Sequence, residues 1–445
     1  MPRDRKDQRT VTETTSDISF FDPETNKCPY PAHQKLRDEA PLWLDPTTGM
    51  YVLTRFDDIR AVLADPKVYT NRVGSAAGMT EKAVRPSDPA MAAAFDKEAA
   101  HSQELAALYE NEGWTPVATL DALDAPEHLQ LRRMFSDAFR PARISQLDPF
   151  VEALANRLMD DFIEKGQCEW VSAYAVPLPL YTIGKQMGVP EADMPMIKGW
   201  TDAWVQRLGL MQTPEERMWS ARKEIEAQQY FQPIFERLRV HPEDSLLSDL
   251  VNKPIPEWNR TLNDNELHSE MMADFFVGGS ETTTNALAAG IVMLVERPDV
   301  WAALKSDVEK YLPTFMEEVV RLEGPVQAML RETSEDVTLH GVHIPAGSII
   351  SLRFGAANRD ERQYVERANE IDLEREKPRG HLGYGGGVHV CLGAPLARRE
   401  LYYGFKTVVQ RIESLRLAEK NTFDHAPSYF LRGLKELWVE FTPVS

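Results

Sequence analysis

Apolar residues recur three and four apart through Phe150 to Ile163, Gln228 to Leu238, Leu267 to Leu294, Phe315 to Leu322 and Leu396 to Val409. That spacing is the period of a helix with one buried face. Strand-like alternation is confined to Tyr51 to Thr54, Val337 to Phe354 and Leu437 to Phe441. Within the second of these, His340-Gly341 and Pro345-Ala346-Gly347 read as hairpin turns. Between Asn71 and Asp124 runs a long stretch that is helical over Pro89 to Leu108 and loop-like at its ends; it is either a functional lid or a surface insertion. Pro254 to Pro256 is the clearest break, and it joins helical segments. With no repeat and no low-complexity linker, the pattern predicts one large, mainly α domain with a small β portion, over residues 16–445. Residues 1–15 are polar and charged without an apolar core, which predicts a disordered tail and not a signal peptide.

Composition narrows the function classes. Hydrophobic residues make up 43 % and charged residues 27 % of the 445, so a large core can be buried. The 50 basic and 69 acidic residues leave a net charge of −19, which repels nucleic-acid phosphates and anionic lipid surfaces. The longest apolar run, Ala286 to Val295, falls well short of the ~20 residues of a membrane span. Three cysteines, Cys28, Cys168 and Cys391, have no CxxC spacing and build neither a disulfide framework nor a four-ligand zinc site. That usage fits a reducing cytoplasm.

The most informative segment is His381 to Gly393, HLGYGGGVHVCLG. Glycine is required where the backbone takes positive φ or comes close to a ligand. A dinucleotide loop fails, because Val388 and Val390 stand where GxGxxG needs glycine, and no GxxxxGK[ST] is present. From Leu392 onward the sequence becomes helical, so Cys391 is expected at a helix N-terminus, where backbone N–H groups favour thiolate over thiol. A lone cysteine taken by itself is more often buried and inert.

Three further patterns stand out. The helix expected from Asp264 to Val295, roughly 50 Å long, carries Gly278-Gly279-Ser280-Glu281-Thr282-Thr283 at its middle. Paired glycines there predict a kink or a widened groove, and GxSxG fails for want of a glycine at 282. Glu318 and Arg321 share a helix face beside the apolar stripe of Phe315, Val319 and Leu322, a pairing that on a surface contributes ~0.2–0.5 kcal/mol. Asp124-Ala125-Pro126-Glu127 reads as a helix start, placing His128 and Arg132 on one face beside a stripe of Leu131, Met134, Phe135 and Ala138.

Read as Tyr384-x-x-Gly387-x-x-x-Cys391-x-Gly393 with His389 two before the cysteine, the segment closely resembles the haem-binding loop of the cytochrome P450 family, which usually has Phe at the Tyr384 position. Family order is kept from about Phe21 to the C-terminus: the Asp124 helix, the Glu281-Thr282 helix, Glu318-x-x-Arg321, Arg331, Ala356 to Asp360 and Phe430 to Leu434. The resemblance implies haem b (iron protoporphyrin IX) between a long distal helix and a proximal cysteine loop and helix. Cys391 would be the axial thiolate, and His128, Arg132, Arg331 and His389 the propionate donors. Glu281 and Thr282 would deliver protons to dioxygen, the co-substrate. The partner that locks Glu318 and Arg321 is open, since Glu370 occupies the usual Arg place and Arg375 could substitute. By the same resemblance, Trp114, Val117, Phe275, Phe276, Val326 to Leu330 and Phe430 would line the pocket, although Phe275 and Phe276 are better read as core.

The implied activity is hydroxylation of a small-to-medium hydrophobic molecule. A peroxide-driven peroxygenase and a non-catalytic haem sensor are the alternatives. No flavin, nicotinamide or iron–sulfur fingerprint is present, so electrons would come from a ferredoxin or flavodoxin and its NAD(P)H-dependent reductase. Arg132, Arg133, Arg140, Arg143, Arg398 and Arg399 are expected to form either a basic docking face for an acidic partner or a generic solvated basic face.

Overall fold

The computed structural model describes residues 18–71 and 89–444; the tail 1–15 and residues 72–88 of the long Asn71 to Asp124 stretch lie outside them. Two compact units are formed, the first from the described residues of Met1–Asn71, Asp148–Leu178 and Thr282–Ser445, the second from those of Arg72–Leu147 and Pro179–Glu281.

The first unit contains every strand among the described residues: β1 (Leu42–Leu44), β2 (Tyr51–Leu53), β3 (Tyr69–Thr70), β4 (Gln167–Glu169), β5 (Met329–Thr333), β6 (Val337–Leu339), β7 (Val342–Ile344), β8 (Ile349–Leu352), β9 (Ile412–Leu417) and β10 (Trp438–Pro443). The main sheet runs β1-β2-β8-β5-β3, antiparallel except for the β2–β8 pair, where Val52 stands opposite Ser351. β4-β10-β9 make a second sheet, and β6-β7 a hairpin that turns at His340-Gly341. Both turn residues take positive φ, 50° and 76°, as a tight turn between twisted strands requires. β1, β3, β4, β5 and β9 escaped the hydrophobic pattern because runs of two to six residues, some interrupted by charge as in β5, carry almost no alternation to read.

Helix Ala394–Arg411 is the centre of this unit and packs against Asp148–Asp160 and Val308–Leu322. Helix Gly278–Glu296 also crosses it closely, because a Cβ at Gly290 would lie 2.3 Å from Phe405 and one at Gly404 would lie 2.9 Å from Leu287. Phe405 then stacks edge-on to Phe315 at 5.3 Å. Each of these fully buried rings contributes about 1.5–3 kcal/mol of burial.

The second unit is helical among its described residues. Met194–Leu208 and Pro214–Val240 pack together, and Phe231 links Trp200, Phe235 and Phe276 into one aromatic run. The predicted helix of the long stretch extends over Pro89–Glu112. It packs on Pro214–Val240 through Leu108, Tyr109, Ala221 and Ile225. The Tyr109 hydroxyl donates to Glu224 Oε2 at 2.5 Å, and Arg207 pairs with the same carboxylate.

The long helix predicted from Asp264 is built in three consecutive pieces. Asn263 and Glu266 form a capping box that starts Asp264–Glu270. Met271–Val277 then widens into a π-helix, and Gly278–Glu296 returns to α geometry. The widening expected at the paired glycines thus lies just before them, and Ser280 Oγ donates back to the Phe276 carbonyl at 2.5 Å. Along this helix Asp274, Gly278, Glu281 and Thr282 are partly or fully exposed, whereas Phe275, Phe276, Val277 and Ser280 are buried. The spacing of four and then three or four puts the accessible residues on one face.

Candidate active site

Cys391 is exposed at the end of its loop, one turn ahead of helix Ala394–Arg411, which Gly393 caps and Pro395 helps to start. The Cys391 N–H donates to the Tyr384 carbonyl at 2.9 Å, closing the loop beneath the sulfur. Gly385 and Gly387 take φ of 70° and 62°. A Cβ at Gly387 would sit 2.1 Å from the Leu63 carbonyl oxygen, and one at Gly383 would sit 2.5 Å from Val320 Cγ1. The glycines therefore serve close packing of the loop on its own scaffold. Gly387→Ala combines a backbone clash with an unfavourable φ, and a loss of about 1–3 kcal/mol is expected in a denaturant titration.

The Glu318–Arg321 pair is not the surface pair that its spacing would ordinarily make; both side chains are fully buried. Arg321 Nε and Nη2 each donate to Glu318 at 2.8 Å, and its remaining donors reach the carbonyls of Asn358, Ala368 and Glu370 at 2.6–2.8 Å. Arg375 is the third partner: its Nε and Nη2 donate to Glu318 at 2.7 and 3.2 Å. Glu370 contributes only its main chain. Burial would raise the Glu318 pKa, but Arg321 and Arg375 outweigh it and hold the carboxyl below its ordinary value.

The neighbouring Glu317 is a site residue that sequence reading missed. Its carboxylate accepts from Arg398 Nε at 2.6 Å and Nη2 at 3.1 Å and pairs with His381 Nε2 at 3.0 Å and Arg379 Nε at 3.4 Å. The Gly383 N–H donates to His381 Nδ1 at 3.0 Å, so the imidazole proton is on Nε2 and points at Glu317. Against the cost of burial, the hydrogen bonds from His381 and Arg398 hold the Glu317 pKa down to about 2. The only sequence signal was a second glutamate beside the recognised one.

Among the other expected residues, Arg331 is buried in β5 and donates to the Leu330 carbonyl at 2.6 Å. His389 ends a short 3-10 turn, Gly387–His389. In the second unit, His128 and Arg132 lie on helix Glu127–Ser136, with His128 fully buried and Arg132 half-buried. Glu281 forms an ion pair with Lys198 at 3.6 Å, and Lys198 also pairs with Asp202. Burial would lower the Lys198 pKa, but these two carboxylates raise it, so the lysine remains charged. Thr282 follows on the accessible face, and its buried neighbour Thr283 adjoins Glu400. Burial pushes the Glu400 carboxyl well above its ordinary range, an effect that Thr283 offsets in part.

Of the expected pocket residues, Phe275 packs on Phe135 and Phe139, and Phe276 on Phe231, so both are core. Trp114 is fixed by Gln228, whose amide bonds both its N–H and its carbonyl, and Val117 N–H donates to Ser269 Oγ at 3.0 Å. The expected basic face is altered, because most of its arginines pair with acids of their own units: Arg133 with Glu257, Arg140 with Asp137, Arg143 with Asp249, Arg398 with Glu317 and Arg399 with Asp148. Arg133 and Arg140 nevertheless stay about two-thirds or more exposed, at 72 % and 67 %.

The cytochrome P450 family profile matches residues 209–436, about half of the chain. The chain is 32 % identical to cytochrome P450 CYP107DY1 of Priestia megaterium over 72 % of its own length and 76 % of that protein. The chain belongs to the cytochrome P450 family. It is also 35 % identical to the mycinamicin IV hydroxylase/epoxidase of Micromonospora griseorubida, over 72 % of this chain and 78 % of that one. The P450 heme domain of Acinetobacter radioresistens CYP116B5 superimposes with a TM-score of 0.85 at 26 % identity, covering 98 % of this chain and all of the other. The protein is thus a P450 monooxygenase, with the haem, cysteine-thiolate ligand and use of dioxygen that define the family. Its donor chemistry suits that group: one soft sulfur donor lies at the end of a loop that packs closely on its scaffold at Gly383 and Gly387. No helix among the described residues is long and apolar enough to cross a membrane.

Proposed function

We propose that this P450 hydroxylates a small-to-medium hydrophobic substrate with electrons from a separate ferredoxin or flavodoxin, reduced by an NAD(P)H-dependent reductase, in the cytoplasm. Residues 16–445 act as one haem-thiolate domain. Cys391 is the axial ligand of haem b, and His128, Arg132, Arg331 and His389 hold its propionates. The observation that carries this reading is the exposed Cys391 on a loop closed by its own N–H and followed by a helix start. The haem supplies oxygen activation: one atom of dioxygen enters the substrate and the other leaves as water, with two electrons and two protons consumed.

The chain's own residues manage the protons and the partner. Glu281, paired with Lys198, sits one residue before Thr282, and both side chains are partly accessible, so a carboxylate and a hydroxyl stand next to each other along the helix. The acid–alcohol pair favours the oxygen-driven reaction over the peroxide-driven one. Arg133 and Arg140, although paired, keep exposed guanidinium faces for which an acidic partner's carboxylates compete.

Oxygen uptake measured together with product formation, using a surrogate ferredoxin system, tests the reading. Wild type should couple the two, and Thr282→Val should continue to consume oxygen while its yield of product per oxygen falls by roughly tenfold or more. Product formation from hydrogen peroxide alone at an equal rate would identify a peroxygenase. Haem binding without uptake would identify a sensor.

A further inference from the structure

Two adjacent glutamates on helix Val308–Leu322 divide the scaffold around Cys391 between them. Glu318 ties down the Asn358 to Arg375 segment through Arg321 and Arg375. Glu317 faces the cysteine loop and the helix that follows it, binding His381 ahead of Cys391 and Arg398 behind it. The Arg398 guanidinium, gripped through two nitrogens, lies over the Tyr384 ring at 4.4 Å from its centroid. His381 approaches the same ring at 5.8 Å, and the Tyr384 carbonyl receives the Cys391 N–H. Tyr384 is therefore gripped through its ring by a cation and through its main chain by the cysteine.

This arrangement fixes a charge as well as a shape. Burial would lower the Arg398 pKa, but bonding and charge from Glu317 raise it, with further contributions from Tyr384 and Cys391. The guanidinium lies on the ring of the residue whose carbonyl receives the Cys391 N–H, which brings its charge close to the cysteine. Glu317 is buried, at 3 % exposure, so its charge is weakly screened by solvent.

We propose that Glu317 and Arg398 are positioning residues for the Cys391 ligand, an ion pair that sets the electrostatic potential at the sulfur and so the midpoint potential of the iron it holds. The inference rests on Cys391 being the iron ligand. Reduction adds one negative charge to the iron centre. A nearby cation stabilises the reduced form and a nearby anion opposes it. The two partners of the pair must therefore act with opposite sign.

The test is spectroelectrochemical titration of the substrate-free holoenzyme. Glu317→Gln should shift the midpoint potential upward, Arg398→Gln downward, and the double variant should return toward wild type. Arg398→Lys, which keeps the charge, should lie closer to wild type than Arg398→Gln. A merely structural role would loosen the cysteine loop from either side, so shifts of the same sign in both single variants overturn the proposal, as do two unshifted potentials. Should Glu317→Gln fail to fold, the Arg398→Gln and Arg398→Lys pair decides, and equal potentials in the two overturn the proposal. A wild-type carbon-monoxide spectrum without the thiolate signature would instead refute Cys391 as ligand, an outcome separate from any difference among the variants.

Discussion

Arg321→Ala destabilises the protein by about 3–5 kcal/mol, enough to remove much of the 5–15 kcal/mol by which a native protein typically exceeds its unfolded state. Truncation takes two hydrogen bonds from the buried Glu318 carboxylate and removes the guanidinium donors from the carbonyls of Asn358, Ala368 and Glu370. Arg375 still pairs with Glu318, so the charge itself is not abandoned. The loss falls on the segment that runs from Asn358 through Glu370. That segment also supports the cysteine loop, because Asn358 Oδ1 accepts from the Leu382 N–H at 2.7 Å. Haem content is expected to fall together with the urea midpoint. Arg321→Lys keeps the charge but lacks the planar fork that serves four acceptors at once, and should recover only part of the stability. An unfolding free energy within about 1 kcal/mol of wild type for Arg321→Ala would show that the buried pair is dispensable.

Cys391→Ala has the opposite profile. The substitution removes the iron ligand and keeps the Cβ, so the haem-free chain should keep its stability to within ~0.5 kcal/mol, while the stabilisation contributed by bound haem falls. Monooxygenase turnover should fall to that of free haem, because the variant lacks the sulfur donor that drives oxygen activation. Parallel denaturation and turnover assays separate the two effects. Turnover comparable to wild type would remove Cys391 from the mechanism.

The sequence made the chemistry more legible than the architecture that supports it. The Cys391 segment combines a rare spacing with glycines whose need is local, so a short window suffices, and the Glu281-Thr282 helix has a long period that survives local disturbance. Arg375 and Glu317 were harder, because their roles depend on segments more than fifty residues apart that no spacing rule connects. The pairing of Arg133, Arg143 and Arg399 was invisible for the same reason: counting basic residues along a helix says nothing of the acids brought against them from elsewhere, whereas Arg140 pairs locally with Asp137. The π-helix at Met271–Val277 lies beside the glycines and not on them, since glycine loosens a helix without fixing where the extra residue is accommodated. β3 and β4 are too short to carry a pattern, and only their partners, β5 and β10, define them.

The central claim, that Cys391 holds haem iron as a thiolate, is tested most directly by the carbon-monoxide difference spectrum of the dithionite-reduced protein. The account predicts a strongly red-shifted Soret band in wild type and its loss in Cys391→Ala. A Soret band at the position typical of histidine ligation in folded wild-type protein, or a red-shifted band that survives in Cys391→Ala, would contradict it.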